Sequence, residues 1–329
     1  MVPPLVCSSH YIQIVYNFGV RIATVSLNPS VDQTVRLSRF RVDAVNRGST
    51  IRFDAGGKGV NVASFLADSG VPVVITGFLG RENAGIFEDL FQRKHIEDRC
   101  IRIPGQTRIG VKIVDESARQ TTDINLPGLT PTPEAVDLLM QTLRQMTSTY
   151  DTFVLTGSLP PGVPADLYAR IIRLLHEAGV RCLLDSSGAG LREGVRAVPS
   201  MVKPNRVELE ELVGDSVSDE QGVISAAQRL VNTGIELVVV SLGRRGALFV
   251  TPDAVLHAVL PEAAVQSTVG AGDALVAGLL VGQKRGLDLA DCARLATAYS
   301  VGVITSPNSQ LPDQAALNAL IDKVQIQEM

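Results

Sequence analysis

Asp273 is the only charged residue in residues 267–280, STVGAGDALVAGLL. It stands where Gly270, Ala271 and Gly272 give way to an apolar run that reads as a helix. The first turn of a helix has N–H groups without intrahelical acceptors, and its dipole favours negative charge. Small residues there let a ligand approach the backbone, so this turn could cradle an anion. A carboxylate beside that anion could take a proton from an attacking hydroxyl. It could equally do no more than stabilise the first turn, and the spacing leaves the two readings level. The segment lacks the third glycine of a dinucleotide fingerprint and the GK[ST] of a Walker loop.

Four other segments offer polar groups at comparable places. In DAGGKGVNVASFLADSG (54–70), Gly56, Gly57 and Gly59 open a second helix, with Lys58 adding charge and Asn61 a polar fork one turn on. A polyol or phosphate could rest there, although a plain turn before a helix explains the segment more simply. In SLNPSVDQT (26–34), Asn28-Pro29 reads as a turn. Asp32 follows at the C-terminal end of a strand, where open α/β sheets bind ligands. VKPNRVELEEL (202–212) places Asn205 and Glu208 one helical turn apart. They are either an N-cap with solvated acids or a carboxylate holding a metal through water. SLGRRGALFV (241–250), with Ser241 and Gly243, is either a hairpin or the lining of a nucleotide pocket. The four cysteines (Cys7, Cys100, Cys182, Cys292) and four histidines are scattered, which argues against zinc and for reduced thiols.

The elements around these segments follow a βαβα rhythm. Residues 21–27, 71–78, 152–157, 180–186, 200–205 and 236–242 are short apolar runs, as expected of strands covered on both faces. Helical patterns over about 58–69, 84–94, 132–147, 164–178, 207–213 and 219–233 lie between them. The expected fold is α/β, a doubly wound, mostly parallel sheet. Two alternating stretches, about 30–54 and 99–128, break the rhythm and read as half-buried antiparallel strands of a small β-sheet lid. With 329 residues, one large domain (21–329) is expected, preceded by an N-terminal extension (1–20) that does not read as a signal peptide.

A net charge of −4 gives no electrostatic reason to expect nucleic acid or an anionic membrane as partner. No segment approaches the roughly 18 apolar residues of a membrane span.

Taken together and in order, GGKGVNVA and STVGAGDALVAG resemble the two signatures of the PfkB (ribokinase-like) carbohydrate kinase family. The likeness runs from about Arg21 to the end through LTGSLPPGV, LLDSSG, VKPNRVELEEL and VVVSLGRRGAL, and ATVSLNPSVD resembles the branch that acts on sugar phosphates. The resemblance implies an ATP- and Mg²⁺-dependent kinase that phosphorylates D-fructose 1-phosphate. Tagatose 6-phosphate or fructose 6-phosphate as acceptor is the alternative, and a non-catalytic sugar-phosphate sensor a more remote one. It further implies that Asp273 is the general base and that the N–H groups of Gly270, Ala271 and Gly272 hold the transferring phosphoryl group. Asp32, Gly57, Lys58 and Asn61 would bind the sugar. Arg108 would contact its phosphate, with Arg47 as a weaker candidate. Asn205 and Glu208 would organise Mg²⁺. Lys203, Ser241, Gly243 and Thr268 would lie on the nucleotide side. A cytoplasmic homodimer is the implied setting, with the lids as the contact.

Overall fold

A computed structural model describes residues 21–329 apart from 119, 218, 260–264, 266–267 and 307–308. The expected extension over 1–20 lies outside the described residues.

The chain begins with β1 (Ile22–Ser26), β2 (Ser30–Leu37), β3 (Thr50–Gly56) and α1 (Lys58–Asp68). It continues through β4 (Val73–Gly80), α2 (Gly85–Lys94), β5 (Glu97–Asp98), β6 (Ile101–Ile103), β7 (Ile109–Asp115) and β8 (Gln120–Asn125). The middle of the chain is α3 (Pro133–Met146), β9 (Thr152–Thr156), α4 (Leu167–Glu177), β10 (Arg181–Asp185), α5 (Gly188–Arg196) and β11 (Met201–Val202). Then come α6 (Arg206–Val213), α7 (Glu220–Val231), β12 (Leu237–Ser241), β13 (Ala247–Val250) and β14 (Val255–Val259). The described C-terminal elements are α8 (Ala271–Lys284), α9 (Leu289–Thr305), α10 (Gln314–Ile321) and β15 (Gln325–Glu328).

The large sheet runs β15-β14-β13-β12-β11-β10-β9-β1-β4-β5, with β6 also on β4. Its centre, from β12 to β5, is parallel, and the β12–β15 edge is antiparallel. Successive side chains of each strand point to opposite faces. Val154, for example, joins a core with α1, α8 and α9, while Phe153 and Leu155 join the core under α3, α4 and α7. Burial on both faces is why these strands read as unbroken apolar runs.

Two glycines fix the turns that matter most for the site. Gly57 has φ +105 before α1, and a Cβ there would lie 2.8 Å from Cα of Pro29. Gly270 has φ +81 before α8. Both lie in the left-handed region that favours glycine.

The small sheet runs β3-β2-β7-β8. Its register places Ile51, Phe53, Val35, Val111, Ile113 and Ile124 on one face and Asp32, Thr34, Arg36, Arg52, Asp54 and Lys112 on the other.

The structure corrects the sequence reading in several places. The lid strands are not all antiparallel, because β2 and β7 pair in parallel. Of the 99–128 stretch, Ile101–Ile103 joins β4 in the large sheet. The expected strand over 200–205 is only Met201–Val202. Pro204, which has no N–H to give a ladder, stands two residues beyond its end. Helices α5, α9 and α10 and strands β14 and β15 were not anticipated. Among the described residues no helix is long and apolar enough to cross a membrane.

Candidate active site

Of the residues singled out above, Asp32 lies in β2 just after β1, Lys203 and Asn205 follow β11, Ser241 ends β12, Lys58 and Asn61 lie in the first turn of α1, and Asp273 in that of α8. Helix α8 opens with Gly270 as N-cap, then Ala271, Gly272 and Asp273. Asp273 is the third residue of the helix and the acid of its first turn, a place where a carboxylate also stabilises the helix dipole. Its carboxylate accepts a 2.7 Å hydrogen bond from Asn61 Nδ2 and is only 6% exposed. Burial, then repulsion from Asp185, pushes its pKa up to about 6, against the opposing pull of Asn61, Lys58 and Lys203. A buried carboxyl that titrates near neutrality is suited to exchanging a proton.

A cation pair stands beside it. Lys58 is the first residue of α1, and Lys203 follows β11. Lys58 Nζ lies 2.9 Å, and Lys203 Nζ 3.2 Å, from the same oxygen, Oδ1 of Asp185 at the end of β10. Burial alone would raise the Asp185 pKa, but the two ammonium groups outweigh it and hold the carboxyl ionised. Burial would likewise lower the pKa of Lys58, and Asp185 raises it beyond the usual lysine range. A Cβ on Gly272 would lie 3.3 Å from Lys203 Nζ, so the bare helix start lets this ammonium reach the first turn of α8. Asp185 received no role from the sequence. Its one signal was a position at the end of a central strand in LLDSSG.

On the small-sheet side, Asp32 accepts from Ser30 Oγ at 2.8 Å and from Lys112 Nζ at 2.5 Å. A Cβ on Gly56 would fall 2.6 Å from its carboxyl carbon. Asp32, Gly56, Asn61 and Gly270 line a cavity of about 720 Å³, within the range of small-molecule sites. A separate recess holds Arg108, Asn125, Asn28, Ser158 and Gly128. There, among the described residues, Arg108 Nη1 reaches only the Asn125 carboxamide oxygen at 3.4 Å, and its buried Nε has no partner. Burial lowers the pKa of this guanidinium, partly offset by distant Asp32. A half-buried guanidinium without a carboxylate at bonding distance is a ready anion receptor.

Asn205 and Glu208 form a capping box. Asn205 Oδ1 accepts from the Glu208 N–H at 2.9 Å, and Glu208 Oε2 accepts from the Asn205 N–H at 2.8 Å. The cap orients Glu208 and leaves its other oxygen for a ligand. A bridge between Asn205 and Ser241 brings the β12 end alongside. Gly243 lies in the turn beyond it (φ +61), and Thr268 is exposed ahead of Gly270. Arg47 is exposed on the loop between β2 and β3. Among the described residues, no group of three or more His, Cys, Asp or Glu could hold a metal by itself.

Comparison with known proteins shows the family. The family model for pfkB family carbohydrate kinases matches residues 25–316. The chain is 45% identical over 311 residues to a 1-phosphofructokinase of Rhodobacter capsulatus, covering 94% of this chain and 98% of that protein. It is 46% identical over 288 residues to a 1-phosphofructokinase of Xanthomonas campestris, covering 86% and 91%. Among solved structures, phosphofructokinase-2 from Escherichia coli in complex with substrates and products superposes with a TM-score of 0.87 at 28% identity, covering 92% of this chain and 99% of that one.

Proposed function

Since the chain belongs to the pfkB family of carbohydrate kinases, we propose that it transfers a phosphoryl group from ATP to the 6-hydroxyl of D-fructose 1-phosphate, giving fructose 1,6-bisphosphate. The observation that carries this reading is the first turn of α8, where a buried carboxylate with a raised pKa shares one helical turn with backbone N–H groups that have no acceptor within the helix.

ATP supplies the phosphoryl group, and Mg²⁺ neutralises charge on its phosphate oxygens. Everything else falls to the chain. Asn61 holds the Asp273 carboxylate in place, and Asp273 takes the proton from the sugar hydroxyl as its oxygen attacks phosphorus. The N–H groups of Gly270, Ala271 and Gly272 face the charge that develops on the transferring group, and the Lys58 and Lys203 ammonium groups flank it. Asp32, Gly57 and Asn61 orient the sugar, and Arg108 takes the phosphate that does not react. Glu208, with Asn205, would hold Mg²⁺. One oriented carboxylate fits a cation that keeps several waters and phosphate oxygens in its shell. Ser241, Gly243 and Thr268 line the nucleotide side. The polar face of the small sheet roofs the acceptor and excludes water, which limits ATP hydrolysis.

The identity of the two curated relatives supports fructose 1-phosphate as acceptor. The apolar face of the small sheet supports a homodimer built on that face, with Ile51 56% and Phe53 50% exposed. Sugar-phosphate chemistry and the unpaired Cys100, Cys182 and Cys292 fit a cytoplasmic setting. The deciding experiment is ADP release over a panel of fructose 1-phosphate, fructose 6-phosphate and tagatose 6-phosphate. Fructose 1-phosphate is expected to give a kcat/KM at least about tenfold above the others, equivalent to about 1.4 kcal/mol of discrimination. Equal values would overturn the choice of acceptor.

A further inference from the structure

We propose that Asp185 is a positioning residue, whose one carboxylate oxygen holds the ammonium groups of Lys58 and Lys203 together against the first turn of α8. The proposal rests on the kinase reading above and extends it to a residue to which that reading gives no role.

The two lysines come from different parts of the fold, the start of α1 and the end of β11. Each carries its charge on a flexible four-carbon stem, and nothing in the stem fixes where that charge sits. Two like charges close together also repel. A shared acceptor answers both problems. Oδ1 of Asp185 lies 2.9 Å from Lys58 Nζ and 3.2 Å from Lys203 Nζ.

A structural role does not account for this arrangement. The Asp185 side chain is fully buried, and its only hydrogen-bonding partners among the described residues are these two lysines. Among the described residues its second oxygen, Oδ2, is buried without a partner, and so is Oγ1 of Thr156, the residue beside it across β9 and β10. Buried carboxylates kept for stability are normally satisfied at both oxygens, and buried ion pairs are in any case weak stabilisers. The geometry instead puts the carboxylate where it governs charge at the helix start. Asp273 is faced by Asn61 and Lys58 from α1, by Lys203 from the segment after β11, and by Asp185 from β10. Glu208 of α6 acts on Lys58 from further away.

The test uses the full chain with Asp185→Asn and Asp185→Glu. For Asp185→Asn, kcat is expected to fall about 10- to 100-fold, the scale of an ångström's misplacement. KM for either substrate should stay within about threefold, since no substrate contact is removed. The acid limb of the kcat profile should move to lower pH, because Asp273 loses a like-charged neighbour and keeps its cations. A merely structural role would lower the folded fraction and leave that limb where it was. A readout without turnover runs alongside: the fall in melting temperature between about pH 4 and 6 due to Asp273 should be shallower in Asp185→Asn.

Asp185→Glu keeps the charge and so decides the matter even if Asp185→Asn folds poorly. It moves the oxygen by one methylene, so kcat should drop while the acid limb stays in place. Full kcat in Asp185→Glu, or kcat within threefold and an unmoved limb in Asp185→Asn, overturns the proposal. Failure of the kinase-base reading shows separately, as a parent enzyme with no acid limb near pH 6.

Discussion

Asp273 combines two properties that pull against each other. A carboxyl with a pKa near 6 in the folded chain and about 3.8 in the unfolded chain binds more protons when folded. Its contribution is therefore most favourable below the unfolded value and is lost as pH rises through about 6. Above that pH the ionised, buried carboxylate costs about 2–3 kcal/mol of stability. Asp273→Asn can still accept from Asn61 but cannot take a proton. It is expected to lower kcat by at least about 100-fold while raising the melting temperature at pH 8. Near-normal turnover would remove Asp273 from the base role, and calorimetry at pH 5 and pH 8 checks the sign. Arg108 presents the converse case, a cation that on the proposed reading would gain its partner only with substrate. Arg108→Ala should raise KM for the acceptor about 10- to 100-fold and change kcat much less, the mark of a ground-state contact. Both residues were legible in the sequence through the motifs around them. Asp185 was not. Nothing in a chain read linearly says that lysines 145 positions apart meet on one oxygen.

Helix α8 carries Asp273, the proposed base, and its sequence shows how the helix is held. It is apolar all round, and every residue from Asp273 to Gly282 is buried. A Cβ on Gly278 would meet Cα of Ala296 at 2.8 Å, so glycine sets the distance between α8 and α9. Gly278→Val is expected to destabilise the chain by about 1–3 kcal/mol, read from chemical denaturation. A loss under 0.5 kcal/mol would mean that the two helices separate without cost. At this scale the central strands and the helices from α1 to α4 were legible, because burial on two faces or on one stripe leaves a periodic trace. Helix α5 was missed because GAGLREGVR carries three glycines and little helix propensity. It forms because Leu191 and Val195 are buried in the core that α4 shares. The parallel pairing of β2 with β7 left no trace either. Alternation shows which face a residue occupies but not which direction its neighbour runs.

At the scale of the whole molecule, the small sheet presents polar residues on one side and exposed apolar residues on the other. If that apolar surface is where two copies meet, Phe53→Asp should shift the sedimentation coefficient from dimer to monomer at micromolar concentration. A parent chain already sedimenting as a monomer would place the contact elsewhere or nowhere. Because side chains alternate along a strand, each residue of β2 on the polar face stands between two on the apolar face. The same ribbon would then be both ceiling and seam. Occupancy of the one would bias formation of the other, and by thermodynamic reciprocity assembly would tighten the grip on sugar phosphate by the same factor. Such an enzyme would sense its own concentration: diluted, it would lose affinity for its acceptor before it lost its fold.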